Sequence, residues 1–254
     1  MRDDLFTLHA EIELSHWWFV GRRRILKSVV ETFVPPGAGH RIVEIGCGTG
    51  ANVAALAADY DVCGIDPHEP AIALARRRFP NVHFIAGTAP ADLRPQDRLA
   101  ELFMLLDVIE HVPDDHAFMT DVLTAVPSGS RVLITVPADP ALWSEHDESF
   151  GHYRRYTEET LVSLLASLPL DVEMLSYFNA RLYPVVRAIR GAARVLGRAS
   201  GRGGTDFSMP SAPVNRLLTR TFAGEARRLA QVRPGAERRR YRRGVSLIAV
   251  ARKR

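Results

Sequence analysis

The sequence predicts an α/β fold built on a seven-stranded, mostly parallel sheet with helices on both faces. Three observations predict it. Apolar runs of strand length alternate with helix-patterned segments, the order that a parallel sheet requires. The first run leads into VEIGCGTG (43–50), a glycine-rich turn of the kind that joins a strand to a helix N-terminus. The next runs end at Asp66, Gly87 and Asp107, residues suited to loops at the carboxyl edge of such a sheet.

Each element follows in order. RIVEIG (41–46) is the first strand, and NVAALAAD forms the helix after the glycine turn. YDVCGID (60–66) is the second strand, after which Pro67 opens a helix through AIALARRRF. NVHFIAG (81–87) is the third strand and LAELFMLLD (99–107) the fourth, followed by a helix from about Asp114 to Ala125. SRVLITVP (130–137) is the fifth. TEETLVSLLASL (157–168) is a helix with a capping-box start. Thr160 stands where Glu is usual, and Glu158 and Glu159 suit the first turn. DVEMLSYFN (171–179) is the sixth strand and GVSLIAVARK (244–253) the seventh. No internal repeat is visible.

Two segments lie outside this alternation and set the expected organisation. Residues 1–34 read as a helical lid, including HWWFVGRRRIL. Residues 35–179 form the core. Residues 180–243 form an arginine-rich helical insertion, and 244–254 return as the last strand. In the insertion, NARLYPVVRAIRGAARVLGR is an apolar-and-arginine helix pattern and ASGRGGTD a break. APVNRLLTRTFAGEARRLAQV is a second helix pattern, and ERRRYRR leads into the final strand.

At 254 residues, 46% hydrophobic and 24% charged, the chain can bury a full core. Two cysteines, Cys47 and Cys63, imply no disulfide framework and fit a reducing compartment. The acidic start, MRDDLFTLHAEIELSHWWF, has no signal-peptide pattern, and no run of 18 apolar residues suggests a transmembrane helix. The expected location is cytoplasmic. The net charge of +4 hides an asymmetry. From Arg181 onward there are 19 Lys/Arg against 3 Asp/Glu, and before it 14 against 26. A basic tail on an acidic body suggests an anionic partner, although a GC-rich genome produces the same arginine excess.

Gly46, Gly48 and Ala51 satisfy the dinucleotide fingerprint G-x-G-x-x-G/A, which by itself is weak. Glu44 at the strand end would repel a pyrophosphate and attract a cation, and Gly50 adds a third alternate glycine. The ligand that fits is S-adenosylmethionine, which carries an ammonium and a sulfonium and no phosphate. Asp66 can accept ribose hydroxyls, Gly87 and Thr88 fall near an adenine, and Leu106 and Asp107 end the fourth strand.

With VEIGCGTG, GIDP, AGTA, LLDVIEHVPDD and VLITVPA in place, the sequence resembles the class I S-adenosylmethionine-dependent methyltransferases of small-molecule type, over about residues 41–179 and the last strand. The resemblance implies a Rossmann-like sheet whose last strand enters antiparallel. It implies a cofactor held by Glu44, Gly46, Cys47, Gly48 and Gly50 of the glycine loop and by Asp66 and Pro67. Gly87, Thr88 and Ala89 would border the adenine, and Leu106, Asp107 and Val108 would close the site. Many members carry an acid at the Thr88 position. HWWF…GRRR and HDESFGHYRRYT also look like a bacterial subgroup of such enzymes. Trp18 and Arg22 would belong to a lid, with an arginine meeting the methionine carboxylate or an acidic acceptor; Trp17, Trp18 and Phe19 equally suit the buried face of a helix.

A methyltransferase needs a general base only when the acceptor is a hydroxyl or a protonated amine. The candidates are His111, just past the fourth strand, and His146, His152 and Tyr156 in LWSEHDESFGHYRRYT. That stretch reads as a long polar loop over the strand ends, with a substrate or lid role. Alternatively it packs back on the lid, with Arg154 and Arg155 paired to local acids. Asp107, Glu110 and His111 resemble the acid-x-x-Glu-His pattern of ubiquinone-pathway O-methyltransferases, which can bind a divalent metal. No metal is expected here, because further ligands are wanting: Asp107 closes the cofactor site and Glu110 caps a turn.

On the first insertion helix, Leu182, Val185, Val186, Ile189, Ala193 and Leu196 can share a face, with Arg187, Arg190, Arg194 and Arg198 mostly elsewhere. That suits a helix on an anionic membrane or over a greasy acceptor, and equally one packed on its own domain or a dimer partner. The function expected is methyl transfer to oxygen or nitrogen of a small molecule, with an anionic or lipid-linked acceptor as a refinement. The alternatives are a cofactor-binding adaptor at an anionic membrane and a nucleic-acid methyltransferase. The latter lacks any visible RNA-binding module, so nucleic acid is not the expected partner. Glu44, Gly50 and the fourth-strand motif argue against a nicotinamide dehydrogenase.

Overall fold

The central strands of the sheet are near-continuous buried runs, as a sheet covered by helices on both faces requires. In the computed structural model, which describes residues 3–37, 39–195 and 207–254, seven strands form one sheet. They are β1 (Arg41–Ile45), β2 (Asp61–Asp66), β3 (His83–Ala86), β4 (Leu102–Leu106), β5 (Arg131–Pro137), β6 (Leu170–Phe178) and β7 (Ser246–Lys253). Their order is β3-β2-β1-β4-β5-β7-β6. Strand β7 runs antiparallel to both its neighbours, and the other pairings are parallel. The seven-stranded Rossmann-like sheet expected from the sequence is present.

The helices are α1 (Asp3–Ile12), α2 (Trp17–Phe33), α3 (Ala51–Ala54), α4 (Glu69–Arg78), α5 (Asp115–Ala125), α6 (Glu145–Phe150), α7 (Glu158–Ala166), α8 (Tyr183–Val195), α9 (Ala212–Ala223) and α10 (Ala226–Leu229). On one face of the sheet, Val43, Ile65, Phe103 and Ile134 meet Met119 and Val122 of α5 and Leu161 and Leu165 of α7. On the other, Ile42, Val62, Met104 and Ile248 meet Ile25, Val29 and Val30 of α2, with Phe222 of α9 and Leu229 of α10. Segments from both ends of the chain therefore complete the core on this second face. None of the described helices is long and apolar enough to cross a membrane.

Differences from the expected elements have local causes. The fourth strand begins at Leu102 rather than residue 99. Residues 97–99 form a 3-10 turn whose Asp97 is held by Arg94 and Arg41, which leaves Leu99 75% exposed. The helix after β2 is capped by the His68 side chain, which accepts from the Ala71 amide, instead of opening at Pro67. The glycine turn leads into only four helical residues. The expected polar loop after β5 contains α6. It starts in a Ser144–Asp147 capping box and stops at Gly151, whose left-handed backbone (φ 71) ends the helix. The Thr157–Thr160 capping box forms as read, with Thr160 Oγ1 accepting from the Thr157 amide. In the insertion, Leu196, Arg198 and all of ASGRGGTD lie outside the described residues.

Candidate active site

The parallel strands all deliver their carboxyl ends to one edge, and a cavity of about 960 Å3 opens there between the sheet and α1, α2 and α8. Strand β1 lies between β2 and β4, so the loops after it sit at the point where strand order reverses. Gly46 (φ 76) and Gly48 (φ 52) adopt the left-handed conformation that a Cβ would strain. At Gly46 a Cβ would also stand 2.6 Å from Val108 Cγ2. Bare backbone thus forms the cavity floor.

Asp66 ties this loop down. Its Oδ2 accepts from the Gly48 amide at 2.9 Å and its Oδ1 from the His68 amide at 2.8 Å. The carboxylate still lines the cavity, and each oxygen has lone-pair capacity left for a ribose hydroxyl. Glu44 has a different task from the one expected. It is buried behind the loop and does not line the cavity. Its oxygens accept from the Val53 amide at 2.9 Å and Asn52 Nδ2 at 3.2 Å, fastening the start of α3. Burial raises its pKa to about 8, against the lowering pull of Asn52 and Arg22. Gly50 also lies off the cavity, where a Cβ would strike the Phe84 ring at 2.6 Å. Cys47, Pro67, Gly87, Thr88, Ala89, Leu106, Asp107 and Val108 line the cavity. Thr88 donates from its hydroxyl to Asp92 Oδ2 at 3.3 Å, which keeps its oxygen available as an acceptor.

The N-terminal segment meets this floor through buried polar contacts. Glu13 accepts from Thr49 Oγ1 at 2.8 Å and pairs with Arg78. Arg22 of α2 crosses the core to Asp107 Oδ2 at 2.8 Å and Thr135 Oγ1 at 2.7 Å. Its Nε is buried without a hydrogen-bond partner, and its guanidinium lies 4.9 Å from the Trp18 ring centre. Trp18, Phe19 and Arg22 line the cavity while Phe19 and Ile25 are buried, so this helix both borders the cavity and packs into the core. A side-chain-free floor, a strand-end carboxylate and an orphaned arginine nitrogen fit S-adenosylmethionine.

The other end of the cavity is built by α6 and the turn after β4. His152 donates from Nδ1 to Asp147 Oδ1 at 2.9 Å, and Arg155 Nε donates to the same oxygen at 2.8 Å. Burial works against the charge on Asp147, but His152 and Arg155 hold its carboxyl well below the usual range. This fixes the His152 ring with Nε2 as the nitrogen left for the cavity. His111 stands edge-on to it, ring centres 4.6 Å apart. Burial, then the charge of His152, lowers the His111 pKa to about 4, so it is a neutral imidazole. His146 lies 6.3 Å from His152 and 4.3 Å from the Phe150 ring.

Tyr156 stands apart from these three. Its ring is in the core, its hydroxyl donates to Asp115 Oδ2 at 2.6 Å, and it does not line the cavity. The hydroxyl is pushed well above the usual tyrosine range by burial and by Asp115. The alternating pattern of YRRY could not show which tyrosine faces inward. Glu110 also departs from the expected turn cap. It is fully buried in the cavity wall, and neither carboxylate oxygen has a hydrogen-bond partner. Burial, then Asp107, raises its pKa well above the carboxylate range.

Other polar groups at the cavity were not among the expected site residues. Asn179, at φ 53 just beyond β6, buries an unpartnered Oδ1 there. His9 and His16 each bury an unpartnered Nε2. Glu110, His111 and His152 could hold a metal, since one ligand atom from each lies within 4.8 Å of the others. The third of these, His152, was expected as a proton acceptor and comes from beyond α6, about forty residues from the other two.

Residues 19–175 match a family profile described as a methyltransferase domain. No curated protein matches the sequence. Among solved structures, the chain is similar to a Thermotoga maritima protein titled an S-adenosylmethionine-dependent methyltransferase and possible histamine N-methyltransferase. That match has 17% identity, 98% of this chain and 99% of that one covered, and a TM-score of 0.56. It is similar to geranyl diphosphate C-methyltransferase of Streptomyces coelicolor A3(2), with 12% identity, 90% and 76% covered, and a TM-score of 0.56. It is also similar to phosphoethanolamine N-methyltransferase 2 of Haemonchus contortus, with 17% identity, 89% and 51% covered, and a TM-score of 0.53. The chain spans about half the length of that last protein. At these identities the structural likeness is one of fold. The profile, however, covers more than half of the chain and includes the glycine loop, Asp66 and the strand ends, and the chain belongs to the methyltransferase-domain family, as a class I S-adenosylmethionine-dependent methyltransferase.

Proposed function

We propose that this enzyme methylates an oxygen or nitrogen of a small-molecule acceptor held between Glu110, His111 and His152, with His152 as the proton acceptor. The observation that carries this reading is the Asp147–His152 pair, whose histidine lines the same cavity as the bare backbone of Gly46 and Gly48. S-adenosylmethionine supplies a methyl carbon activated by its sulfonium. The chain's work is positioning. The Gly46–Gly48 backbone, Asp66 and Arg22 fix the cofactor end, and the aromatic lid excludes water. His152 takes the acceptor's proton at Nε2, Asp147 stabilises the imidazolium, and Arg155 keeps Asp147 in place.

The acceptor's far end would lie against α8, whose Val186, Ile189 and Arg190 border the same cavity. Arg190, expected on a polar face, is buried and donates to the Leu142 carbonyl, whereas Val185 and Ile189 are 57% and 59% exposed. No acid occurs between Glu173 and Asp206, where six arginines do. Exposed apolar side chains beside arginines at the cavity mouth support an anionic or lipid-linked acceptor, reached at an anionic membrane surface.

Calorimetric titration with S-adenosylmethionine and S-adenosylhomocysteine, beside Asp66→Ala, tests the cofactor end. Binding by wild type and its loss in the variant are expected. With an acceptor from the host's own extract, His152→Ala should lower kcat by about 10²–10⁴-fold. Wild-type protein that binds neither compound would overturn the reading, as would an undiminished His152→Ala.

A further inference from the structure

The corner where Glu110, His111 and His152 meet holds more donor atoms than one proton transfer needs. A buried carboxylate with two unpartnered oxygens is costly, and folded chains retain one where something else satisfies it. The neighbouring cations face other groups: Arg155 donates to Asp147 and the Ala138 carbonyl, and Arg22 to Asp107 and Thr135. We propose that Glu110, His111 and His152 bind a divalent transition-metal ion.

The donor set is one carboxylate oxygen and two imidazole nitrogens, with one atom of each within 4.8 Å of the others. That mixture suits Zn²⁺, Co²⁺ or Mn²⁺ better than Mg²⁺ or Ca²⁺, which prefer oxygen throughout. Three protein ligands leave a coordination position open, and all three line the cavity. The support behind the ligands is also present. His152 donates its Nδ1 proton to Asp147, which is fully buried and further held by Arg155 and the Ser144 amide. A carboxylate behind a ligating histidine fixes its tautomer and raises its basicity. The set is not the acid-x-x-Glu-His pattern of the sequence, because Arg22 and Thr135 engage the carboxylate of Asp107. Glu110 and His111 come from the turn after β4 and His152 from beyond α6, so only folding assembles the site.

The inference rests on the reading of this corner as the acceptor's end. With an ion bound, His152 is a ligand rather than the base. An acceptor hydroxyl entering the open position would then be acidified by the ion and would release its proton to solvent as it binds, before water is excluded.

The test is metal binding by the full chain, read without turnover. Chelator-treated protein is titrated with Co²⁺ and followed by its visible ligand-field absorption, then with Zn²⁺ in competition. One equivalent of Co²⁺, displaced by Zn²⁺, is expected. Glu110→Gln and His152→Ala should weaken binding by more than ~100-fold, and Asp147→Asn by ~10–100-fold. S-adenosylhomocysteine binding retained in the same variants reports an intact fold. Wild-type protein without Co²⁺ absorption overturns the proposal, as does absorption unchanged in folded Glu110→Gln and His152→Ala. The acceptor-end reading fails separately, if metal-free His152→Ala keeps the wild-type kcat and its pH profile.

Discussion

Asp147 shows how one side chain can organise a site through others. Its carboxylate sits at the start of α6, closes a capping box with Ser144, and receives His152 and Arg155 on one oxygen. The same residue therefore ends the loop, starts the helix and sets a histidine's tautomer. His9 carries a different consequence. It lies among Phe19, Phe150 and Phe207, and burial, then His146 and Arg22, lowers its pKa to about 4. An unfolded histidine binds a proton near pH 6.5 that buried His9 refuses. Its contribution is thus complete above about 6.5 and is lost as pH falls toward about 4. Urea unfolding at about pH 7 and about pH 4.5 should show the wild type losing up to about 3 kcal/mol more than His9→Gln, at 1.36 kcal/mol per pKa unit. Equal losses in the two proteins would mean that His9 is protonated as readily folded as unfolded.

Helices α2 and α9 lie far apart in sequence and pack as one unit. Gly21 permits the approach: a Cβ there would stand 2.7 Å from Phe222 Cδ1. Phe222 is fully buried, stacks on Phe178 at 6.0 Å and meets the edge of Trp17. Asn215 clamps the junction between α1 and α2, accepting from the Trp17 amide at 2.8 Å and donating to the Ser15 carbonyl at 2.9 Å. The helix that carries Trp18 and Arg22 into the cavity is thereby positioned by the insertion. Phe222→Ala should cost about 3–5 kcal/mol of stability in denaturant unfolding. Because α9 supports the lid, cofactor affinity should fall with it, whereas a freely hinged lid would leave affinity unchanged.

At the scale of the whole molecule, an acidic body carries a basic last third, and α8, which lines the cavity with Val186 and Ile189, exposes Val185 and Ile189. Sedimentation should therefore find the protein on vesicles of phosphatidylcholine with phosphatidylglycerol and not on phosphatidylcholine alone. Added salt should weaken the binding. A Val185→Asp, Ile189→Asp double variant should lose that binding at an unchanged Tm, because both side chains are exposed in the fold. Equal binding by variant and wild type would assign the attraction to charge alone. Much of this protein was legible in order along the chain, because the features that define it are local. Strand runs, the glycine turn, Asp66 and the capping box at Thr157 each depend on residues close in sequence, and the expected sheet and cofactor family followed from them. What folding alone decided is where distant residues meet. Glu110 reads as a turn cap until its oxygens prove to be buried without partners. Tyr156 reads as a site residue until its ring enters the core. Glu44 reads as a cofactor contact until Asn52 and the Val53 amide take its oxygens. His152 joins Glu110 and His111 only because β4 and β5 lie side by side in the sheet and bring the loops after them together. Local chemistry is written in the order of residues. The partner of a buried polar atom is set by packing between segments far apart in that order, which is why the sequence could name His111 and His152 as candidates but only the tertiary structure could set both beside Glu110.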